Sequence, residues 1–160
     1  MSLICGIDPG LRGAIAFYWT DRPNEIIVDD MPVVDSEIDA AALARMLEEE
    51  RPDALVVELQ GARPKQGLGS SYKTGVGFGV IRGVAAALRI PRYEVTAGRW
   101  KKYYSLSGGL DGKEKSRALA IQYFPQSDRF KRKVHHGRAE ASLLALYGAS
   151  TIHHLAEDAA

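Results

Sequence analysis

The chain has 160 residues, 46% of them hydrophobic and 26% charged, proportions that suit a single compact domain over residues 1–160 with a core of its own. No apolar run approaches the roughly 20 residues of a membrane span, and no basic stretch leads into a long apolar one at the N-terminus, so a cytoplasmic protein with no membrane partner is expected. The single cysteine, Cys5, excludes an intrachain disulfide and a cysteine-rich zinc site.

The formal net charge of +1 is an average of opposites. Residues 21–58 hold twelve Asp/Glu against three Lys/Arg, a net of −9, whereas residues 98–138 hold eleven Lys/Arg against three Asp/Glu, a net of +8. Such a division permits a positive face for a polyanion, although solvated helix faces would produce the same count.

In chain order, residues 2–8, 13–20 and 25–31 read as three strands separated by the turn signals PGLRG and DRPN. Residues 36–50 place Ile38, Ala42, Leu43, Met46 and Leu47 at helical spacing, with Ser36 as the expected N-cap and Arg51-Pro52 as the stop. A short buried strand follows at 53–59. The Gly-rich, basic segment 60–77 has no apolar period and reads as a loop. A small-residue helix at 78–90, a strand at 92–96, a helix at 113–124 and a long apolar helix at 137–155 complete the chain. The order β-β-β-α-β-α-β-α-α predicts an α/β protein with a mixed sheet, the first strand parallel and adjacent to the fourth.

Two of these strand-like runs end in carboxylates, Asp8 in LICGIDPG and Glu58 in ALVVEL. An ionised carboxylate buried alone costs on the order of several kcal/mol, so each acid needs solvent or a cation. Adjacent parallel strands would bring both to one crevice at their carboxyl ends. Two close carboxylates repel unless one is protonated or a cation lies between them, and all-oxygen donors favour Mg²⁺ or Mn²⁺. In HHGRAEASLLALYG, His136 and Glu140 stand four residues apart on one helical face, with His135 at the helix mouth. Taken singly, an acid near a helix start serves the helix dipole, and a histidine is more often packed than ligating.

Six segments in this order resemble the RuvC-type Holliday junction resolvases, in particular their bacterial, phage and chloroplast branch: GIDPG, VVELQ, PKQGLGSSYKTGVGFGVIRG, VTAGRWKK, GKEKSRALAIQYFP and HHGRAEASLLALYG. The resemblance spans residues 3–149. It implies a ribonuclease H-like fold with a mixed five-stranded sheet flanked by helices, a bacterial, phage or organellar origin, and a homodimer that nicks opposing strands of a four-way DNA junction. Asp8, Glu58 and Glu140 match the metal-binding acids of that family, and Lys113 matches a lysine of this branch. Where many relatives have an acid at the start of the final motif, this chain offers His135 or His136.

The implied reaction is in-line attack of water on a phosphodiester, assisted by two Mg²⁺ or Mn²⁺ ions about 3.5–4 Å apart and by no organic cofactor. Asp8 would bridge them, Glu58 would bind one, and Glu140 with His136 or His135 the other. The histidine could instead orient or deprotonate the water. Lys113 could hold the scissile phosphate. DNA contacts are expected from Arg63, Lys65, Tyr72 and Lys73 in the basic segment, where Tyr72 could stack on an exposed base; from Lys101 and Lys102 beside Trp100; and from Lys131, Arg132, Lys133 and Arg138. Competing expectations are a ribonuclease H-like nuclease of RNA, hybrids or other branched DNA, and a silent DNA-binding module of the same fold. An actin-like kinase would need a second subdomain, for which the chain is too short.

Overall fold

The computed structural model describes residues 1–61, 67–106 and 110–158. In chain order the elements are β1 (Leu3–Asp8), β2 (Ala14–Trp19), β3 (Ile27–Asp30), the short β4 (Val33–Val34) and β5 (Glu37–Ile38), α1 (Ala40–Glu50), β6 (Ala54–Glu58), α2 (Leu68–Ala87), β7 (Arg92–Val95), α3 (Ala97–Tyr103), α4 (Leu110–Tyr123), a 3-10 turn at Lys133–His135, and α5 (His136–Asp158). The main sheet has the order β3-β2-β1-β6-β7. β1 pairs antiparallel with β2, and β2 with β3, whereas β1 with β6 and β6 with β7 are parallel. This is the expected mixed five-stranded sheet.

The two-residue period of a strand divides the core cleanly. Leu3, Cys5 and Ile7 of β1, with Leu55 and Val57 of β6, face Leu43 and Leu47 of α1 and Phe78, Ile81 and Ala85 of α2. Ile4 of β1, with Ala54 and Val56 of β6, faces the opposite layer, where Trp100, Ala120, Ala141, Leu144 and Ala145 come from α3, α4 and α5, and Phe124 from the residue after α4. Buried on both faces, β1 and β6 read as continuous apolar runs in the sequence.

Helix α5 approaches β1 unusually closely. A Cβ on Gly6 would lie 2.1 Å from the Ala141 carbonyl oxygen and 2.4 Å from the Ala145 nitrogen. One on Gly148 would lie 2.4 Å from Val56 Cγ2. Glycine at these places lets the helix backbone rest directly on the sheet.

Three local expectations are corrected. Ser36 does not cap α1: Asp35 and Ser36 have φ of 48° and 63° and form the tip of the β4–β5 hairpin, and Asp39 is the cap, its side chain accepting from the Ala42 N–H at 2.9 Å. Two successive positive φ values are what a two-residue hairpin turn requires, and an Asp-Ser pair is a weak signal for it. The segment expected as a loop to residue 77 is helical from Leu68 onward, because packing of Phe78, Ile81 and Ala85 on the sheet outweighs the poor propensity of its glycines. Residues 97–103, to which no element was assigned, form α3, capped by Thr96 and anchored by fully buried Trp100.

Because the added Cβ would meet helix backbone rather than a movable side-chain tip, Gly6→Val is expected to lower unfolding free energy by about 3 kcal/mol, the upper end for overpacking. Urea titration checks this, and an unchanged midpoint would contradict the close approach.

Candidate active site

The period that builds the core also delivers the acids. Ile4, Gly6 and Asp8 share the α5 face of β1, and Ala54, Val56 and Glu58 share the same face of β6. The parallel register pairs Ile4 with Ala54, Gly6 with Val56 and Ile7 with Val57, so one further step sets Asp8 beside Glu58 at the carboxyl ends of both strands. Gly137 keeps the start of α5 equally close: its added Cβ would lie 2.6 Å from the Arg12 carbonyl oxygen and 3.3 Å from Asp8 Oδ2. Three residues along, Glu140 therefore enters the same cleft. Glu58 and Glu140 are buried, at 6% and 7% exposure, and Asp8 is partly so.

Such crowding has an electrostatic consequence. Burial first, then the charges of Glu140 and Glu58, push the Asp8 carboxyl up to about 8, against the opposing influence of Lys101 and Lys113. At neutral pH and without a further cation, Asp8 holds its proton.

Helix α3 supplies partners to the other two acids through consecutive residues. The Trp100 indole N–H donates to Glu58 Oε2 at 2.8 Å, and the Lys101 ammonium lies 3.0 Å from Glu140 Oε1 and 5.0 Å from the centre of the Trp100 ring. Ser116 of α4 donates to the Gly112 carbonyl at 2.9 Å and also lies 3.4 Å from Glu140 Oε1.

Asp8, Glu58, Lys101, Lys113, His136 and Glu140 all line one open cleft of about 1060 Å³. His136 lines it; His135 does not. The His135 ring turns instead toward the backbone N–H of Arg132, 3.4 Å from Nδ1, and burial and nearby Arg138 hold its pKa below the ordinary value. Lys102, Lys131, Arg132 and Lys133 are exposed and stand outside the cleft lining. Tyr72 and Lys73 lie on the first turns of α2 rather than on a loop, both exposed, and Lys73 borders a neighbouring hollow. Arg138 forms a two-pronged ion pair with Asp30, both contacts at 2.6 Å, so its planar fork is already engaged within the protein. Arg63 and Lys65 lie outside the described residues.

Sequence reasoning passed over Arg12, Thr74 and Thr96, which line the cleft, and the partnerships of Trp100 and Ser116 with the acids. Arg12 follows the first acid in the PGLRG turn, where a basic residue was the available signal. The other partnerships join residues far apart in sequence and left none.

The donor set, three carboxylates with one imidazole at the rim and no thiolate, suits a hard divalent cation. Among the described residues, no three His, Cys, Asp or Glu side chains yet converge as a ready-made metal cage. The donors are present around the cleft, and Lys101 lies against one of them.

No family model and no curated protein matches the sequence. Among solved structures, Thermus thermophilus RuvC in complex with a Holliday junction substrate aligns with a TM-score of 0.67 at 20% identity, over 96% of each chain. A second Thermus thermophilus RuvC structure gives 0.59 at 18% identity, over 93% of this chain and 96% of that one. A complex of Fowlpox virus resolvase with Holliday junction DNA gives 0.56 at 17%, over 94% and 98%. The chain thus has the ribonuclease H-like fold these proteins share.

The raised Asp8 pKa has a definite sign for stability. Above about pH 4 the unfolded carboxyl is ionised while the folded one keeps its proton up to about 8, so this group lowers stability across that interval and then levels off. Asp8→Asn should therefore match the native protein near pH 4 and exceed it at pH 9 by on the order of 1–3 kcal/mol in metal-free urea unfolding. A difference independent of pH would show that Asp8 is not held protonated by its surroundings.

Proposed function

We propose that this protein is a structure-selective DNA endonuclease that resolves four-way junctions by metal-dependent phosphodiester hydrolysis, acting as a homodimer in the cytoplasm of a bacterium, phage-infected cell or organelle. The observation that carries the reading is the convergence of Asp8, Glu58 and Glu140 on one cleft with Lys101, Lys113 and His136. The alignments to a RuvC and a viral resolvase, both bound to Holliday junctions, support the choice of DNA substrate.

Asp8, Glu58 and Glu140 would hold Mg²⁺ or Mn²⁺, two ions in the scheme the resemblance implies. The bound metal would supply Lewis acidity toward the phosphate and a more acidic water. The residues themselves divide the remaining work. Exposed Lys113 offers a flexible point charge to the scissile phosphate. His136, partly buried at the rim with Nδ1 3.3 Å from the Lys133 carbonyl oxygen, leaves Nε2 as the ring nitrogen available to orient or accept a proton from water. Arg12, whose carbonyl lies against Gly137 beside His136, adds a fixed positive charge to the cleft lining. Lys102, Lys131, Arg132 and Lys133 can follow the phosphates away from the cleft, with Arg63 and Lys65 proposed as further contacts and Tyr72 as a stacking platform. His135 and Arg138, turned toward other partners, serve the start of α5 instead.

Paired nicks need two sites related by a two-fold axis. The outward side of α2 suits a second copy: Gly75, Gly79 and Gly83 repeat at four-residue spacing, and a Cβ on any of them would meet nothing within 4 Å. Gly79→Leu should consequently give a folded monomer in sedimentation, with paired nicking lost; a dimer unaffected by the change would place the interface elsewhere.

The decisive assay incubates the protein and Asp8→Asn with a labelled four-way junction, a matched duplex and an RNA–DNA hybrid in Mg²⁺ or Mn²⁺. Symmetric nicks in the junction alone, reduced at least about 100-fold in the variant, are expected. Cleavage of the hybrid alone would assign a ribonuclease, and tight junction binding without cutting would assign a silent binding module.

A further inference from the structure

The pairing of Lys101 with Glu140 has a meaning beyond the supply of positive charge. Lys101 and Lys102 are consecutive on α3, yet only the first turns inward; its side chain is 21% exposed, with the ammonium 3.0 Å from a carboxylate that is itself 9% exposed. An ammonium and a divalent ion cannot share that oxygen at low cost, because they would repel at close range in a partly dehydrated cleft. The lysine stem can withdraw by rotation about several bonds, whereas Trp100, fully buried and bound to Glu58, cannot.

We propose that Lys101 is a resident cation that competes with the divalent ion for Glu140, so that metal binding displaces its ammonium while Trp100, one residue earlier, keeps Glu58 positioned. The inference rests on the metal-dependent reading above. It deepens that reading by assigning to one short helix both the placeholder and the positioning residue of the site. Three acids that would otherwise repel are kept compatible with the fold before metal arrives, and metal affinity is lowered by the work of breaking one charge-assisted contact.

The test measures Mn²⁺ binding to the full chain without DNA, by calorimetry and by the loss of the free Mn²⁺ paramagnetic resonance signal. Lys101→Met should bind Mn²⁺ about tenfold more tightly, equivalent to one such contact, and Lys101→Arg, which keeps the charge, should not. Equal or weaker binding by Lys101→Met, or no uptake by any of the three proteins, overturns the proposal. A second measurement leaves Lys101 in place. In a Trp19→Phe background the only indole is Trp100, whose ring lies 5.0 Å from the Lys101 ammonium. Its emission should change saturably with Mg²⁺ at the concentrations that saturate a parallel Mg²⁺ calorimetric titration, and constant emission through that saturation overturns displacement. Native protein that binds metal yet leaves junctions intact would refute the proposed function without touching this result.

Discussion

The contact on which the rest depends is the near-touching of α5 and β1. Gly6 lies beneath the Ala141 carbonyl and the Ala145 nitrogen, Gly148 against Val56, and Gly137 against the Arg12 carbonyl and the Asp8 carboxylate. These helix positions recur every three or four residues, so they form one ridge of small residues running along the strand. A helix seated a side chain further out would still bury its apolar surface. It would carry Glu140 away from Asp8, however, and the cleft would lose its third acid. Core packing and site geometry are therefore set by the same atoms.

That geometry works against the stability of the metal-free protein. Two acids are buried beside a third whose proton is retained first by burial and then by the charges of its neighbours, and the structure offsets part of the repulsion with two lysines, an indole N–H and a serine hydroxyl. Each of these partners comes from α3 or α4, the two helices that follow β7. The division of labour follows from element type: the rigid strand ends and α5 place the acids, and the side chains of the flanking helices adjust the charge around them.

The sheet and the acids were legible in the sequence because both depend on short-range periodicity. Strand-like runs that end in Asp8 and Glu58 reveal parity and register as soon as the two strands are taken as parallel neighbours. Helix α2 was misread over residues 68–77 because its exposed glycines carry no apolar period; what makes it helical is packing by later residues such as Phe78 and Ile81. The β4–β5 hairpin lacked a glycine at its tip, and α3 was hidden by its brevity. Lys101 was read as a phosphate contact since lysine beside tryptophan near other basic residues fits a nucleic-acid surface; only the tertiary structure turns it inward. The choice between His135 and His136 likewise needed the helix to begin, since one residue of rotation sends one ring to the cleft and the other toward Arg132.

The opposed charge of the two chain regions also changes meaning once folded. Asp29 and Asp30, at the end of edge strand β3, belong to the acidic region; Arg129 and Arg138 belong to the basic one, and they pair Arg129 with Asp29 and Arg138 with Asp30. Arg129 further donates to the Val28 carbonyl from two nitrogens, at 3.0 and 2.8 Å, which covers an edge-strand acceptor that would otherwise face outward. The Arg138 hydrogen bonds hold the Asp30 carboxyl below its usual range, so this link persists until the pH falls through that lowered value. Part of the positive region thus fastens the sheet edge to the start of α5, the same turn that brings His136 and Glu140 into the cleft. Of the remaining cations, Lys113 and Arg12 line the cleft, and Lys102, Lys131, Arg132 and Lys133 stand exposed outside it. For the phosphate backbone proposed as substrate, cations placed among the acids are a more selective arrangement than a uniformly basic face, because they attract a strand where the carboxylates stand.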